Sequence, residues 1–264
     1  MTQLSTASRQ PETEARPMPT GVVVTGAARG LGKAIAAGFA LEGAAVVGVD
    51  LDESVADVMR GLGPGHAGVV GDASDTDVLR RAYDQAVEAG AGLTTVVLNA
   101  GVVAPGETED FPVEQWDRVL GVNLRAAFLG AQAASPYLQA GSSVVMLSSI
   151  CASHGFGARA AYCASKSGVD GLVRALAVEW APRDIRVNAV APGSIATEMQ
   201  QAMIASGRAS NEGYLARIPL GRIGKPSEIA DAVVYLASSR ASYVTGVVLP
   251  VDGGWAVAGL PAQA

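Results

Sequence analysis

From about residue 20 onward, short runs rich in valine alternate with longer stretches whose apolar residues recur every three to four positions. The valine-rich runs carry little polar alternation, the pattern of strands buried on both faces of a parallel sheet. Parallel neighbours cannot be joined by a tight hairpin, and the helix-length stretches supply the crossovers that they need. The reading gives strands at Gly21–Thr25, Ala45–Asp50, Ala67–Gly71 and Thr94–Leu98, separated by helices at Leu31–Glu42, Glu53–Leu62 and Asp75–Ala89. It continues with a long helix over Val113–Leu138 broken near Pro136, strands at Ser143–Ser148 and Arg186–Val190 flanking a helix at Ala161–Trp180, a helix at Ser227–Ala237 and a last strand at Val247–Val251. Right-handed crossovers in this order predict an α/β class: a single-domain, doubly wound parallel sheet of about seven strands with helices on both faces.

Composition fits that frame and narrows the partners. Of 264 residues, 49% are hydrophobic but only 5% are aromatic, and 32 are glycine, so small and branched side chains must fill the core. A net charge of −6 sets the surface as a whole against a nucleic acid or an anionic membrane. No window is long and apolar enough for a transmembrane helix. The two cysteines, Cys151 and Cys163, make neither a disulfide framework nor a zinc spacing, which points to a reducing, cytoplasmic setting and no metal. Residues 1–19 hold Pro11, Pro17 and Pro19 among polar residues and lack the apolar run of a secretion signal, so they read as a disordered tail ahead of a domain at 20–264. The one long irregular stretch, Gly193–Gly224, reads as either a mobile flap or a solvated insertion.

Between the first strand and the first helix runs Thr25-Gly26-Ala27-Ala28-Arg29-Gly30-Leu31-Gly32. Glycines there let the backbone turn tightly and approach a pyrophosphate, and the helix N-terminus adds N–H donors and positive potential. Strand before and helix after make this the phosphate cradle expected of a Rossmann-like fold. Eighteen residues past Gly32, Asp50 ends the second strand, where a carboxylate accepts hydrogen bonds from both ribose hydroxyls of an adenosine and repels a 2′-phosphate. That favours NAD(H); the Arg29 guanidinium, able to pair with a phosphate, leaves NADP(H) open. Asp72 and Ala73 follow the third strand, where the acid suits an adenine amino group or a turn. Asn99-Ala100-Gly101 follow the fourth, where small residues let the chain pass close to a cofactor or simply turn.

Tyr162 and Lys166 stand four residues apart at the start of a stretch carrying Val169, Leu172, Val173 and Leu176. On a helix both side chains leave the same face, one turn apart. An ammonium beside a phenol stabilises the phenolate and lowers its pKa, which suits a tyrosine that gives and takes a proton. A snorkelling surface pair has the same spacing.

Jointly, Thr25–Gly32, Asn99-Ala100-Gly101, Asn123, Ser148-Ser149, Tyr162-x3-Lys166 and Pro192-Gly193 resemble the blocks of the short-chain dehydrogenase/reductase family in order and spacing, across nearly all of residues 20–256. The resemblance implies that Tyr162 is the general acid in carbonyl reduction and the base in alcohol oxidation. It implies that Ser149, with Ser148 as its rival, hydrogen-bonds the substrate oxygen, and that Lys166 lowers the Tyr162 pKa and bonds the nicotinamide ribose. Asn123 would open its helix locally and hold a water linking Lys166 to solvent; a buried amide satisfied by backbone is the plain alternative. Cofactor contacts are implied at Gly26, Arg29, Gly30, Leu31, Gly32, Asp50, Asp72, Ala73, Asn99, Ala100 and Gly101, at Tyr162 and Lys166, and at Pro192, Gly193, Ile195 and Thr197 around the nicotinamide. The substrate would meet Ser149, Cys151, His154, Phe156 and Tyr162, with Val102, Val103, Met199, Met203 and Tyr214 around it. That lining is mostly apolar, with no obvious cluster of cations. The segment Asp252-Gly253-Gly254-Trp255 resembles one that packs at a subunit interface in this family, and the helices at Val113–Leu138 and Ala161–Trp180 resemble its main dimer contact. A homotetramer is implied.

The expected activity is an NAD(H)-dependent oxidoreduction that interconverts a secondary alcohol and a ketone on a small molecule. The enzymatic alternative is an NADPH-dependent 3-oxoacyl-[acyl-carrier-protein] reductase, and the non-enzymatic one is a nucleotide-sensing regulator on the same scaffold.

Overall fold

The computed structural model describes residues 20–90, 92–207 and 210–258; the tail expected at 1–19 lies outside them. Among the described residues seven strands form one parallel sheet: β1 (Gly21–Thr25), β2 (Ala45–Asp50), β3 (Ala67–Val70), β4 (Leu93–Leu98), β5 (Ser143–Leu147), β6 (Arg186–Pro192) and β7 (Val248–Val251). Their order is β3-β2-β1-β4-β5-β6-β7. The helices are α1 (Gly30–Leu41), α2 (Val55–Gly61), α3 (Thr76–Gly90), α4 (Val113–Leu120), α5 (Ala126–Ala134), α6 (Ala160–Trp180), α7 (Glu198–Ala205), α8 (Asn211–Leu215) and α9 (Pro226–Ala237). Strand order reverses between β1 and β4, so the chains leaving these two strands diverge and a crevice opens beyond their carboxyl ends.

Alternation along each strand divides the core into two layers. On one face Val23, Val49, Val96, Val144 and Met146 pack with Leu79 and Tyr83 of α3, Ala131 of α5 and Val173 of α6. On the other Val22, Val24, Val97 and Val145 pack with Ile35 and Phe39 of α1, Met59 of α2 and Ile229 and Val233 of α9. Every residue of β1, β5 and β6 is buried, which is why these strands read as unbroken apolar runs. None of the helices among the described residues is long and apolar enough to cross a membrane.

Two stretches differ from the sequence reading. Val113–Leu138 is not one regular helix: α4 and α5 are joined by a π-helical turn at Gly121–Arg125, and α5 ends at Ala134. The stop comes early because Pro136 has no N–H to donate to a carbonyl one turn back. Gly193–Gly224 is not irregular either. It holds α7 and α8, begun by Thr197 and Ser210, whose hydroxyls accept the Gln200 and Gly213 N–H groups. Next to the edge strand β7, β6 starts on a buried arginine. The Arg186 guanidinium donates to the Leu236, Ala237 and Ser238 carbonyls at 2.5, 3.0 and 3.2 Å. It thereby closes the carbonyl end of α9 and favours its dipole.

Candidate active site

The phosphate loop and the β4 exit are stitched together at the strand-order reversal. The Thr25 hydroxyl accepts the Asn99 and Ala100 N–H groups at 3.0 and 3.1 Å, and the Asn99 side-chain amide donates to the Thr25 and Gly26 carbonyls at 2.8 and 3.1 Å. Gly26 and Gly30 hold φ of +68° and +55°, a left-handed backbone that side chains strain. A Cβ on Gly32 would lie 2.0 Å from the Gly26 carbonyl oxygen, so only glycine lets α1 start this close to the loop. No side chain caps α1, and Arg29 at its N-cap is exposed. The first N–H groups of the helix are thus left for an anion, and the cradle fits the pyrophosphate of a dinucleotide.

Asp50 closes β2 as a clamp. Its Oδ2 accepts the Ala28 N–H at 2.9 Å and its Oδ1 the Asp52 N–H at 3.0 Å. Each oxygen keeps capacity for a further hydrogen bond. Asp52 beside it is held below the ordinary carboxylate range, first by hydrogen bonds from Ser54 and last by the nearby Arg29. Asp72 is an exposed turn acid whose Oδ1 accepts the Ser74 N–H at 2.8 Å, and Ala73 beside it is partly buried. Leu31 packs against the α1 core layer.

On the other side of the crevice Gly193 donates its N–H to the Val251 carbonyl, and Ile195 bridges to Gly224. The Thr197 hydroxyl serves as the cap of α7, accepting from Gln200 at 3.3 Å. Thr197 and Glu198 reach over the phosphate loop: a Cβ on Gly30 would come within 3.5 Å of the Glu198 carboxylate. The sequence reading passed over Glu198, which carries no spacing signal of its own.

Along one face of α6, Tyr162, Lys166 and Asp170 follow one another at single-turn intervals. The serine pair divides by partner. The Ser148 hydroxyl donates to Asp170 Oδ1 at 2.5 Å, whereas Ser149 accepts the Cys151 N–H at 3.1 Å and faces the Tyr162 phenol. The Lys166 ammonium is buried and donates to the Leu147 carbonyl at 2.6 Å. Burial pushes its pKa down to about 8, against the upward pull of the Asp170 carboxylate. Gly101 lies beside it: a Cβ there would be in ordinary contact with the ammonium at 3.6 Å and closer, at 3.3 Å, to Asn123 Oδ1.

Burial drives the Tyr162 phenol well above its ordinary pKa, with the Cys151 thiol adding to the rise; Ser149 and Arg159 oppose it. The expected lowering by Lys166 is therefore not found. The ammonium is turned to the Leu147 carbonyl, 5.8 Å from the Tyr162 ring centre, and the cation that acts on the phenol is Arg159. Asn123 lies in the π-turn, where a register change of the helix ladder had been expected. Its side chain is fully engaged as a clamp: Oδ1 accepts the Val102 N–H at 2.8 Å, and Nδ2 donates to the Val102 carbonyl and to Ser165 Oγ, both at 3.0 Å.

Next to the start of α6 opens a cleft of about 690 Å³ lined by Phe156, Arg159, Met203, Tyr214, Arg217 and Trp255 among others. Phe156 stacks on Trp255 with ring centres 5.2 Å apart, and His154 meets the same indole edge-on. Of the residues expected around a substrate, Phe156, Met203 and Tyr214 line this cleft; Val102, Val103, Ser149, His154, Tyr162 and Met199 do not, nor does Cys151, which is buried with its thiol pKa raised by that burial. Arg159 and the exposed Arg217 bring two cations to this cleft that the expected lining did not include. Arg159 stands three residues before Tyr162, an interval that places it on the same side of the helix start. Arg217 follows Tyr214 by the same interval and was hidden in a stretch read as irregular.

Comparison with known proteins agrees with this geometry. The family model described as enoyl-(acyl carrier protein) reductase matches residues 26–256. The chain is 39% identical over 238 residues to the 3-oxoacyl-[acyl-carrier-protein] reductase FabG of Thermotoga maritima, covering 88% of this chain and 96% of that one. It is 38% identical over 241 residues to the 2,5-dichloro-2,5-cyclohexadiene-1,4-diol dehydrogenase LinX of Sphingobium indicum, covering 89% and 95%. A solved mutant of a Serratia marcescens short-chain dehydrogenase/reductase superposes with a TM-score of 0.83 at 34% identity, covering 91% of this chain and all of that one. Likeness of this extent at both levels shows the family: the chain belongs to the short-chain dehydrogenases/reductases, oxidoreductases that act on CH–OH groups.

Proposed function

We propose that the chain is an NAD(H)-preferring oxidoreductase that interconverts a secondary alcohol and a ketone, with Tyr162 giving and taking the proton. The observation that carries this reading is the meeting of Ser149, Tyr162 and Lys166 beside Gly101, at the carboxyl edge of β4 and β5. Gly26, Gly30, Gly32 and the N-terminus of α1 would hold the pyrophosphate, and Asp50 the adenosine ribose. Asp72 and Ala73 would border the adenine, with Asn99 to Gly101, Pro192, Gly193, Ile195 and Thr197 along the nicotinamide half. A bound nicotinamide dinucleotide supplies the hydride acceptor or donor.

The residues supply the proton and the field. Burial keeps the phenol protonated at neutral pH, the form that donates to a ketone oxygen. Ser149, free of the Asp170 bond that occupies Ser148, would donate a hydrogen bond to the same oxygen as its charge develops. In the oxidative direction Tyr162 must lose its proton against that burial, and the Ser149 hydroxyl, whose hydrogen bond opposes the rise of the phenol pKa, would help to carry the phenolate. Tyr162→Phe is expected to leave NAD(H) affinity within about twofold and to lower turnover by roughly 10²–10⁴-fold. Full activity in that variant, measured by nicotinamide absorbance on a panel of cyclic ketones, diols and sugars, would refute the mechanism.

The similarity to FabG favours a second reading, an NADPH-dependent reductase of carrier-bound 3-oxoacyl groups. Two observations weigh against it. The Asp50 and Asp52 carboxylates crowd the place of a 2′-phosphate, and a net charge of −6 opposes docking of an acidic carrier. Initial rates are expected to be higher with NADH than with NADPH; the reverse order would promote the second reading. We also infer a homotetramer in a reducing, cytoplasmic compartment. Val113 and Trp116 on α4, Phe128 on α5 and Val178 on α6 are exposed, which supports burial of these helices between subunits.

A further inference from the structure

The cleft beside α6 carries two cations that the reaction above does not engage with the substrate. Arg159 is half-buried at its wall; one N–H donates to the Tyr214 hydroxyl at 3.0 Å, and the guanidinium lies 5.3 Å from the Phe156 ring centre. Arg217 lies over Trp255 at 4.3 Å. Among the described residues the ion pairs join Arg60 to Asp57, Arg80 to Asp77 and Arg222 to Glu228, so neither cleft arginine is within salt-bridge distance of a carboxylate. The carboxylate that lines the same cleft, Glu107, is exposed at its rim. A guanidinium has five donors in a planar fork, and the Tyr214 hydroxyl and the Cys151 thiol engage only part of it. Two arginines without carboxylate partners, lining one cleft of a chain with a net charge of −6, are a local reversal of its overall field.

The geometry points to a substrate that is a hydroxy acid: a compact molecule whose carboxylate is held by Arg159, with Arg217 as a second cation and the stacked Phe156–Trp255 wall against its carbon skeleton. A cleft of about 690 Å³ suits a small molecule with a short chain or one ring. The alcohol end would then face Tyr162, one helical turn from Arg159, and the acid end would fix which hydroxyl is presented. The inference rests on the oxidoreductase reading for the fate of the alcohol. It does not rest on it for the seat of the acid.

The test therefore reads binding rather than turnover. The whole chain, with saturating NAD⁺, is titrated with cyclohexanecarboxylate and with cyclohexanecarboxamide, which match in shape and differ in charge, and binding is read by isothermal titration calorimetry. The acid is expected to bind at least about tenfold more tightly than the amide, the yield of a charge-assisted hydrogen bond. Arg159→Gln is expected to remove that preference by weakening acid binding far more than amide binding, Arg159→Lys to restore part of it, and Arg217→Gln to reduce it less. Equal binding of acid and amide by the unaltered chain overturns the inference without any variant needing to fold, and so does a preference that survives Arg159→Gln. An active enzyme that shows no acid preference loses the inference and keeps the function. An acid preference in a chain that turns over neither acids nor neutral alcohols loses the function and keeps the anion seat.

Discussion

Burying the Lys166 ammonium against the Leu147 carbonyl favours its neutral form, so its pKa falls from 10.5 to about 8 on folding. Between these values the unfolded chain holds a proton that the folded chain has released, and stability must rise with pH across that window. Below about pH 8 the penalty is constant. A shift of this size corresponds to roughly 3 kcal/mol. Urea unfolding of the native chain and of Lys166→Met, followed from pH 7 to 10.5, is expected to show the native chain gaining roughly that much on the variant. Parallel profiles would mean that Lys166 titrates normally in the fold. Tyr162 and Tyr83, whose phenols burial raises, act in the opposite sense only at higher pH and are present in both proteins. At this scale the Tyr162 and Lys166 spacing was legible because it is a property of one helix. The preference for Ser149 over Ser148 came with the family resemblance; the Asp170 bond that occupies Ser148 was not legible, because Asp170 meets the serine only when α6 packs across β5. Arg159 was passed over for a similar reason: a charged residue at a helix start looks solvated until Phe156 and Tyr214 fold against it.

Strands were the most legible elements. Burial on both faces leaves a strand little freedom in composition, so Val22 to Val24 or Val144 to Met146 announce themselves. The π-turn was legible only through the family resemblance that singled out Asn123. Nothing in Gly121-Val122-Asn123 departs from helical spacing, and the extra residue is held by bonds to Val102 and Ser165, which are 21 and 42 residues away in sequence. The two short helices within Gly193–Gly224 were missed because they bury too little to impose a periodic pattern; α7 has no buried residue at all. Their starts were visible in Thr197 and Ser210, but glycines at 207, 213 and 221 outweighed them in the reading.

As a whole the molecule presents apolar side chains on the outer surfaces of α4 to α6, with Val178 79% and Phe128 44% exposed. If those surfaces join subunits, the double variant Phe128→Glu, Val178→Glu is expected to fall from tetramer to a smaller species in sedimentation velocity, because paired carboxylates would be buried across the contact. A monomeric native chain under the same conditions would dispose of the assembly proposal. The doubly wound order was readable from the alternation of elements alone, whereas assembly was not, since a surface valine means little until its neighbours on the same face are known. Asp50 links the largest scale to the smallest. Its two oxygens are anchor points for two separate bends of the main chain. Retraining this scaffold toward a phosphorylated coenzyme is thus a task of architecture: exchanging that single acid strands two amides, and both bends have to be redesigned with it.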